Sequence, residues 1–285
     1  MWIVFSALSA VFSALTSILA KCGIRKTDSN VATAVRTVIV LMFSWFMVFI
    51  SGSQATIIQI STKSVIFLIL SGLSTGASWL CYFHALQVGD VNKVVPIDKS
   101  STVLTLILAF VILGETITWY KGIAIGLIAV GTFLMIQKSK TSNETKSKQW
   151  LFYAVLSAVF AALTSILGKI GIEGVASDLG TAIRTCVVLV MSWIMVFVTK
   201  KQGTIKDISK KELCFICLSG LATGISWLCY YKALQDGFVS VVVSIDKLSI
   251  ILTVTFSYIF FKEKLSKKAL IGLIGIVVGT LLMVI

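Results

Sequence analysis

The chain has 285 residues, 57% of them hydrophobic and only 13% charged, against about 25% charged in a soluble domain. That composition excludes an ordinary water-soluble protein and predicts an all-α membrane protein. The net charge of +13 is scattered over short connectors with no basic stripe or stacking platform, which excludes nucleic acid as a partner and reads as positive-inside loops.

In chain order, the first apolar segment is 2–20. No basic residue precedes it and it has an internal copy, so it is expected to be a retained span and not a signal peptide. The second, 31–50, carries Arg36 near its start. The third, 64–83, places Ser71, Thr75, Ser78 and Tyr82 at i, i+4, i+7 and i+11, on one helical face beside Trp79. Such a row of hydroxyls either bonds a neighbouring helix or lines a polar route. Gly72 and Gly76 on the adjacent face predict close helix packing. The fourth segment, 91–113, holds the pair Asp98-Lys99, with Ser101 and Thr105 at i+3 and i+7 from the acid. A charge at that depth costs roughly 2.5–3.5 kcal/mol on the insertion scale. Two adjacent charges therefore need a reason. Glu115 closes this segment as a turn or cap residue. The fifth, 119–136, has Gly122 and Gly126 at packing spacing.

A polar linker, 138–149 (KSKTSNETKSKQ), follows, and then the pattern returns. Shifted by 148, residues 2–137 overlay 150–285 without a gap, and about half the positions are identical. The chain thus divides into a first repeat (1–137), the linker and a second repeat (150–285). The second set of segments is 150–168, 179–198, 213–231, 238–261 and 269–285. Arg184, the row Ser219, Thr223, Ser226 and Tyr230 beside Trp227, and the group Asp246, Lys247, Ser249 and Thr253 all recur. So do Gly220, Gly224 and Glu263, and Gly275 and Gly279 have the same packing spacing as Gly122 and Gly126.

Five spans per repeat force the halves to enter the membrane in opposite senses. With the N-terminus outside, the inner connectors hold sixteen Lys and Arg. The outer ones hold four: Lys63, Lys121, Lys169 and Lys232. This bias predicts both termini outside and a cytoplasmic linker. Loop charge is exchanged between the copies: Arg25 and Lys26 become Glu173 and Gly174, while Gly52 and Ser53 become Lys200 and Lys201. Inverted repeats of this kind are typical of secondary transporters. In this topology Arg36, Asp98 and Lys99 begin near the inner surface, and Arg184, Asp246 and Lys247 near the outer. One charged cluster per side is expected, acting as a gate, a substrate contact or a structural ion pair. A desolvated aspartate can also exchange a proton, which makes protons a candidate coupling ion.

Other chemistry-bearing residues carry less. The six cysteines form no disulfide framework. Cys214-x-x-Cys217 has redox spacing but lies in an apolar span, where packing explains it. The single histidine, His84, is a connector residue replaced by Lys232 in the copy. No metal, cofactor or catalytic constellation is expected, which argues against an intramembrane enzyme.

These features resemble the drug/metabolite transporter superfamily, specifically its EamA-type repeat. The resemblance rests on Arg36 and Arg184 early in second spans, on Pro96 followed by an apolar run and the Gly114-Glu115 turn, and on the Gly-rich fifth span with Gly122, Gly126 and Gly131. The second repeat departs from the pattern at Ser244 and Lys262. The resemblance implies ten transmembrane helices around a central cavity built mainly from third and fourth spans, working by alternating access. The function expected is secondary transport of a small polar or amphiphilic metabolite, such as an amino acid, more in the sense of export. Rivals are an exporter of lipophilic cations, against which Lys99 and Lys247 count, and a non-transporting membrane receptor or scaffold. The expected partners are a small-molecule substrate and the lipid bilayer of the cell membrane.

Overall fold

The computed structural model describes residues 1–23, 27–88, 91–135, 149–262 and 266–285. The expected linker falls almost wholly outside them, as do Arg25, Lys26 and Glu263. The first repeat comprises α1 (Trp2–Gly23), α2 (Ser29–Ser51), α3 (Thr62–Val88), α4 (Val91–Lys99), α5 (Ser101–Leu113) and α6 (Trp119–Met135). The second comprises α7 (Gln149–Gly171), α8 (Ser177–Val198), α9 (Lys210–Asp236), α10 (Val239–Lys247), α11 (Ser249–Phe261) and α12 (Lys267–Val284). Short 3₁₀ turns follow α2 and α8. Among the described residues, eight stretches are long and apolar enough to cross a membrane, and α6 is a shorter apolar helix. With α4 and α5 counted as one span, and α10 and α11 as another, the chain is a ten-helix, multi-pass membrane protein.

Each fourth span is two helices, not one. The break falls just after the acid–base pair, at Ser100 and at Leu248. There the chain tightens into a turn: Ser100 N donates to Ile97 O at 3.1 Å and Leu248 N to Ile245 O at 2.9 Å. Both residues keep right-handed helical dihedrals, so this is a 3₁₀-type step and not a reversal. Proline is not its cause, because the second break occurs where Ser244 replaces Pro96. Lys99 and Lys247 sit in the last turns of α4 and α10, where the helix dipole favours a cation. Nine helical residues rise about 13.5 Å, so each pair lies near the middle of a ~30 Å hydrocarbon core.

The repeats interlock. α3 lies along α7, α1 along α9, α2 against α8 and α6 against α12, and every one of these pairs joins one repeat to the other. Gly72 and Gly76 bring α3 onto α8: a Cβ on Gly72 would stand 2.7 Å from the Val187 Cβ, and one on Gly76 2.3 Å from that of Met191. Gly220 and Gly224 do the same for α9 on α2, against Ile39 and Phe43. On the opposite flank the close approach of α6 to α12 belongs to Gly131, Gly272 and Gly279. Gly122 and Gly126, read from sequence as packing glycines, face open space. The central core joins α1, α5, α7, α9 and α10 through Trp2, Ala109, Ile166, Leu234 and Val242. Outward-facing Met42, Phe46, Val190, Ile271 and Ile274 are exposed, as a lipid-facing surface requires.

Two turns show what the exchange of loop charge did to the backbone. Gly52 (φ 74°) and Gly114 (φ 66°) end α2 and α5 in the left-handed region. Their copies, Lys200 (φ 55°) and Lys262 (φ 53°), hold the same conformation with a side chain attached. A left-handed residue other than glycine costs roughly 1–2 kcal/mol, partly offset by the roughly 0.5–1 kcal/mol of chain entropy that glycine loses. Lys200→Gly and Lys262→Gly should therefore each raise stability by about 0.5–1 kcal/mol, read as a higher melting temperature in detergent.

Candidate functional site

The site grows from a three-helix contact that occurs twice. Ser157 on α7 donates to Asp98 Oδ1 at 2.7 Å. Ser78 on α3 donates to the Ser157 carbonyl at 3.1 Å, with the two hydroxyls 3.4 Å apart. In the copy, Ser9 on α1 donates to Asp246 Oδ1 at 2.8 Å, and Ser226 on α9 donates to the Ser9 carbonyl at 3.0 Å. Each carboxylate is thus held by a serine of the opposite repeat. Neither Ser9 nor Ser157 was singled out from sequence. Both are fully buried, and their signal was available: a hydroxyl kept in both copies of an otherwise apolar first span.

Two polar chambers adjoin at Ser78, Trp79 and Ala161. The first, about 400 Å³, is lined by Thr33, Arg36, Ser78, Trp79, Tyr82, Asp98, Lys99, Ser101 and Ala161. The second, about 260 Å³, is lined by Thr75, Ser78, Trp79, Ala161, Thr164, Arg184, Trp227, Tyr230 and Tyr231. A smaller space of about 70 Å³ also reaches Arg36, between Ala20 and Ser219. The cluster expected around Arg36, Asp98 and Lys99 therefore shares one chamber.

Its copy is arranged differently. Arg184 does not join Asp246 and Lys247. It crosses to the other repeat, donating from Nε to Ser71 Oγ at 3.0 Å and from Nη2 to Thr75 Oγ1 at 2.6 Å. Its guanidinium lies 5.0 Å over the Trp227 ring and 4.9 Å over that of Tyr231. Asp246 and Lys247 line neither chamber, and nor do Ser249 and Thr253. The two acid–base pairs also do not guard opposite mouths, as the sequence suggested. Each pair instead ends a nine-residue helix, α4 or α10, about 13.5 Å into its span. The break in each fourth span puts them there.

The hydroxyl rows bond neighbouring helices, and two of their members also face a chamber. Ser71 donates to Thr164 O at 2.7 Å, and Thr75 lies 3.3 Å from Thr164 Oγ1. Ser219 and Thr223 bond Thr16 in the same way. These rows hold α3 to α7 and α9 to α1, while Thr75 and Ser78 also face the chambers. Tyr230 is 3.0 Å from Ser165 Oγ. Thr105 turns back on Ser101 O of its own helix and lies away from either chamber.

One end of the bundle is capped by two charged side chains, one of them from the opposite repeat. The Glu115 carboxylate accepts from Val239 N at 2.5 Å, from Ser240 N at 3.1 Å and from the Ser240 hydroxyl, closing the N-terminus of α10. Lys169 donates to Leu234 O, to Gln235 O (3.1 Å) and to Gly237 O (3.0 Å), closing the C-terminus of α9. The turn joining α9 to α10 is therefore pinned by one acid and one base.

The model of the EamA-like transporter family matches residues 1–137 and 148–285, one match for each repeat. An uncharacterized transporter in the cobO 3' region of a Sinorhizobium species is 40% identical over 134 residues, which are 47% of this chain and 95% of that protein. That relative is thus about one repeat long. An uncharacterized transporter of Archaeoglobus fulgidus is 23% identical over 281 residues, covering 99% of this chain and 97% of its own. A solved crystal structure superposes with a TM-score of 0.80 at 14% identity, over 99% of this chain and 95% of that one, which shows a shared fold.

Ser157→Ala should strand the Asp98 carboxylate and lower stability by about 1–3 kcal/mol. In Ser157→Ala/Asp98→Asn the two losses should fall short of additive by more than about 0.5 kcal/mol. Thermal melts of the four proteins in detergent measure the coupling.

Proposed function

Since the chain belongs to the EamA-like transporter family, we propose that it is a secondary transporter moving a small polar or amphiphilic metabolite, an amino acid in particular, by alternating access and in the direction of export. The observation that carries this reading is the unequal arrangement of equal residues. Arg36, Asp98 and Lys99 share a chamber, whereas Arg184, Asp246 and Lys247 are split between a chamber and the packed interior. Exchanging the two arrangements between the repeats generates a second state that opens the other way, as inverted repeats allow. With the termini outside, α4 begins on the inner side of the membrane, so the chamber of Arg36, Asp98 and Lys99 is the one nearer the cytoplasm.

Cation, anion and hydroxyl groups beside Trp79 and Trp227 suit a zwitterion with an apolar body. The aromatic walls alone would also suit a lipophilic cation, but Arg184 and Lys99 stand in the same spaces and repel one. A receptor or scaffold has no use for paired chambers. Asp98 and Asp246 are the groups through which a coupling proton would pass.

The test is flux of labelled amino acids and lipophilic cations into liposomes. Asp98→Asn and Asp246→Asn should each cut flux at least about tenfold, as expected when a charge-assisted bond is lost, while eluting as folded protein in detergent. Wild-type rates in both variants would leave the aspartates a structural role only. For orientation, single cysteines placed in 138–149 of a cysteine-free protein should react with an impermeant thiol reagent only from the cytoplasmic side.

A further inference from the structure

Arg184 is 3% exposed at the wall of the second chamber. Its hydrogen-bond partners, Ser71 and Thr75, are both neutral, and its Nη1 has no acceptor. Among the described residues it forms no ion pair. A buried guanidinium held by two hydroxyls and two aromatic faces is under-compensated, because burying a charge is costly unless an opposite charge accompanies it. The aromatic faces of Trp227 and Tyr231 offset only part of that cost. Lys99 in the adjoining chamber has Asp98 beside it in sequence, whereas Arg184 has no such neighbour.

We infer that Arg184 is the carboxylate anchor of the substrate site, and that the ligand is a small monocarboxylate whose apolar body lies between Trp79 and Trp227. This rests on the transporter reading above and narrows it to a substrate class. A planar guanidinium is suited to a carboxylate by its fork of donors. The chamber's volume of about 260 Å³ lies below the roughly 300–1,000 Å³ of pockets for drug-sized ligands, which favours a metabolite. Thr75, which Arg184 grips, and Ser78, which belongs to the Asp98 contact, lie one turn apart on α3 and rise about 4.5 Å. A carboxylate at Arg184 therefore leaves an adjacent ammonium group directed toward the chamber of Asp98. An α-amino acid has that order of charges.

The experiment compares matched compounds on the wild-type protein in liposomes: L-leucine with L-leucinamide, and L-phenylalanine with L-phenylalaninamide and phenethylamine. The acids should be carried at least about tenfold faster than the amides and the amine, the loss expected when a charge-assisted bond is removed. Tryptophan fluorescence of the detergent-solubilised protein should respond to the acids at concentrations where the amides leave it unchanged. Arg184→Gln should abolish the preference for the acid. Arg184→Lys, which keeps the charge and loses the fork, should retain part of it. The comparison on the wild type stands even if a variant fails to fold. Equal flux of acids and amides overturns the anchor and leaves a transporter. Flux of no compound in the panel overturns both readings.

Discussion

Everything in this bundle answers to the need to hold two carboxylates at the middle of a membrane. Each is gripped by a serine from the opposite repeat, and that serine is fixed in turn by a third helix. The contact ties a fourth span to a first span and a third span. In the first of the two contacts those elements, α3, α4 and α7, also line the chambers. A carboxylate in hydrocarbon without donors would cost several kcal/mol, so the helices that supply the donors cannot drift apart without exposing it. Stability and access to the site are therefore set by the same few bonds.

The broken fourth span serves the same end. A continuous helix would keep its backbone groups paired and bring only side chains to the centre. The step at Ser100 and at Leu248 shortens one hydrogen-bond turn and sets Asp98-Lys99 and Asp246-Lys247 at helix ends part-way through their spans. Irregular backbone at this depth is tolerated where protein or a wet cavity surrounds it, and both conditions hold here. The glycine pairs on α3 and α9 then let α8 and α2 close around the centre at backbone distance.

Much of this was legible in the residues. The duplication, the ten spans, the hydroxyl faces and the charged pairs follow from periodicity and from one shift of 148. Three things did not follow. The break in the fourth span leaves no mark, since neither proline nor glycine is needed for a 3₁₀ step and Ser244 stands where Pro96 does in the copy. The partner of Arg184 was misplaced because topology gives depth in the membrane but not azimuth around a helix. Asp246 shares its depth, yet Ser71 and Thr75 share its face. The serines at 9 and 157 were passed over because one hydroxyl in an apolar span is common, and only the acid opposite gives it a purpose. Gly122 and Gly126 show the converse: packing spacing on a face that packs against nothing.

The interlocked pairing of α1 with α9 and of α3 with α7 bears on how such a chain is made. Translation runs at about 5–20 residues per second, so Asp98 waits roughly 3–12 seconds for Ser157 and the hydroxyls of α3 wait roughly 4–19 seconds for Thr164. During that wait Asp98 has no Ser157 and the hydroxyls of α3 have no Thr164. The nascent half must shelter these groups in some other way, by tilting, by drawing in water or by staying beside the insertion machinery. Newly inserted first halves are thus the most vulnerable form this protein takes, and the polypeptide between the halves governs how briefly that exposure lasts.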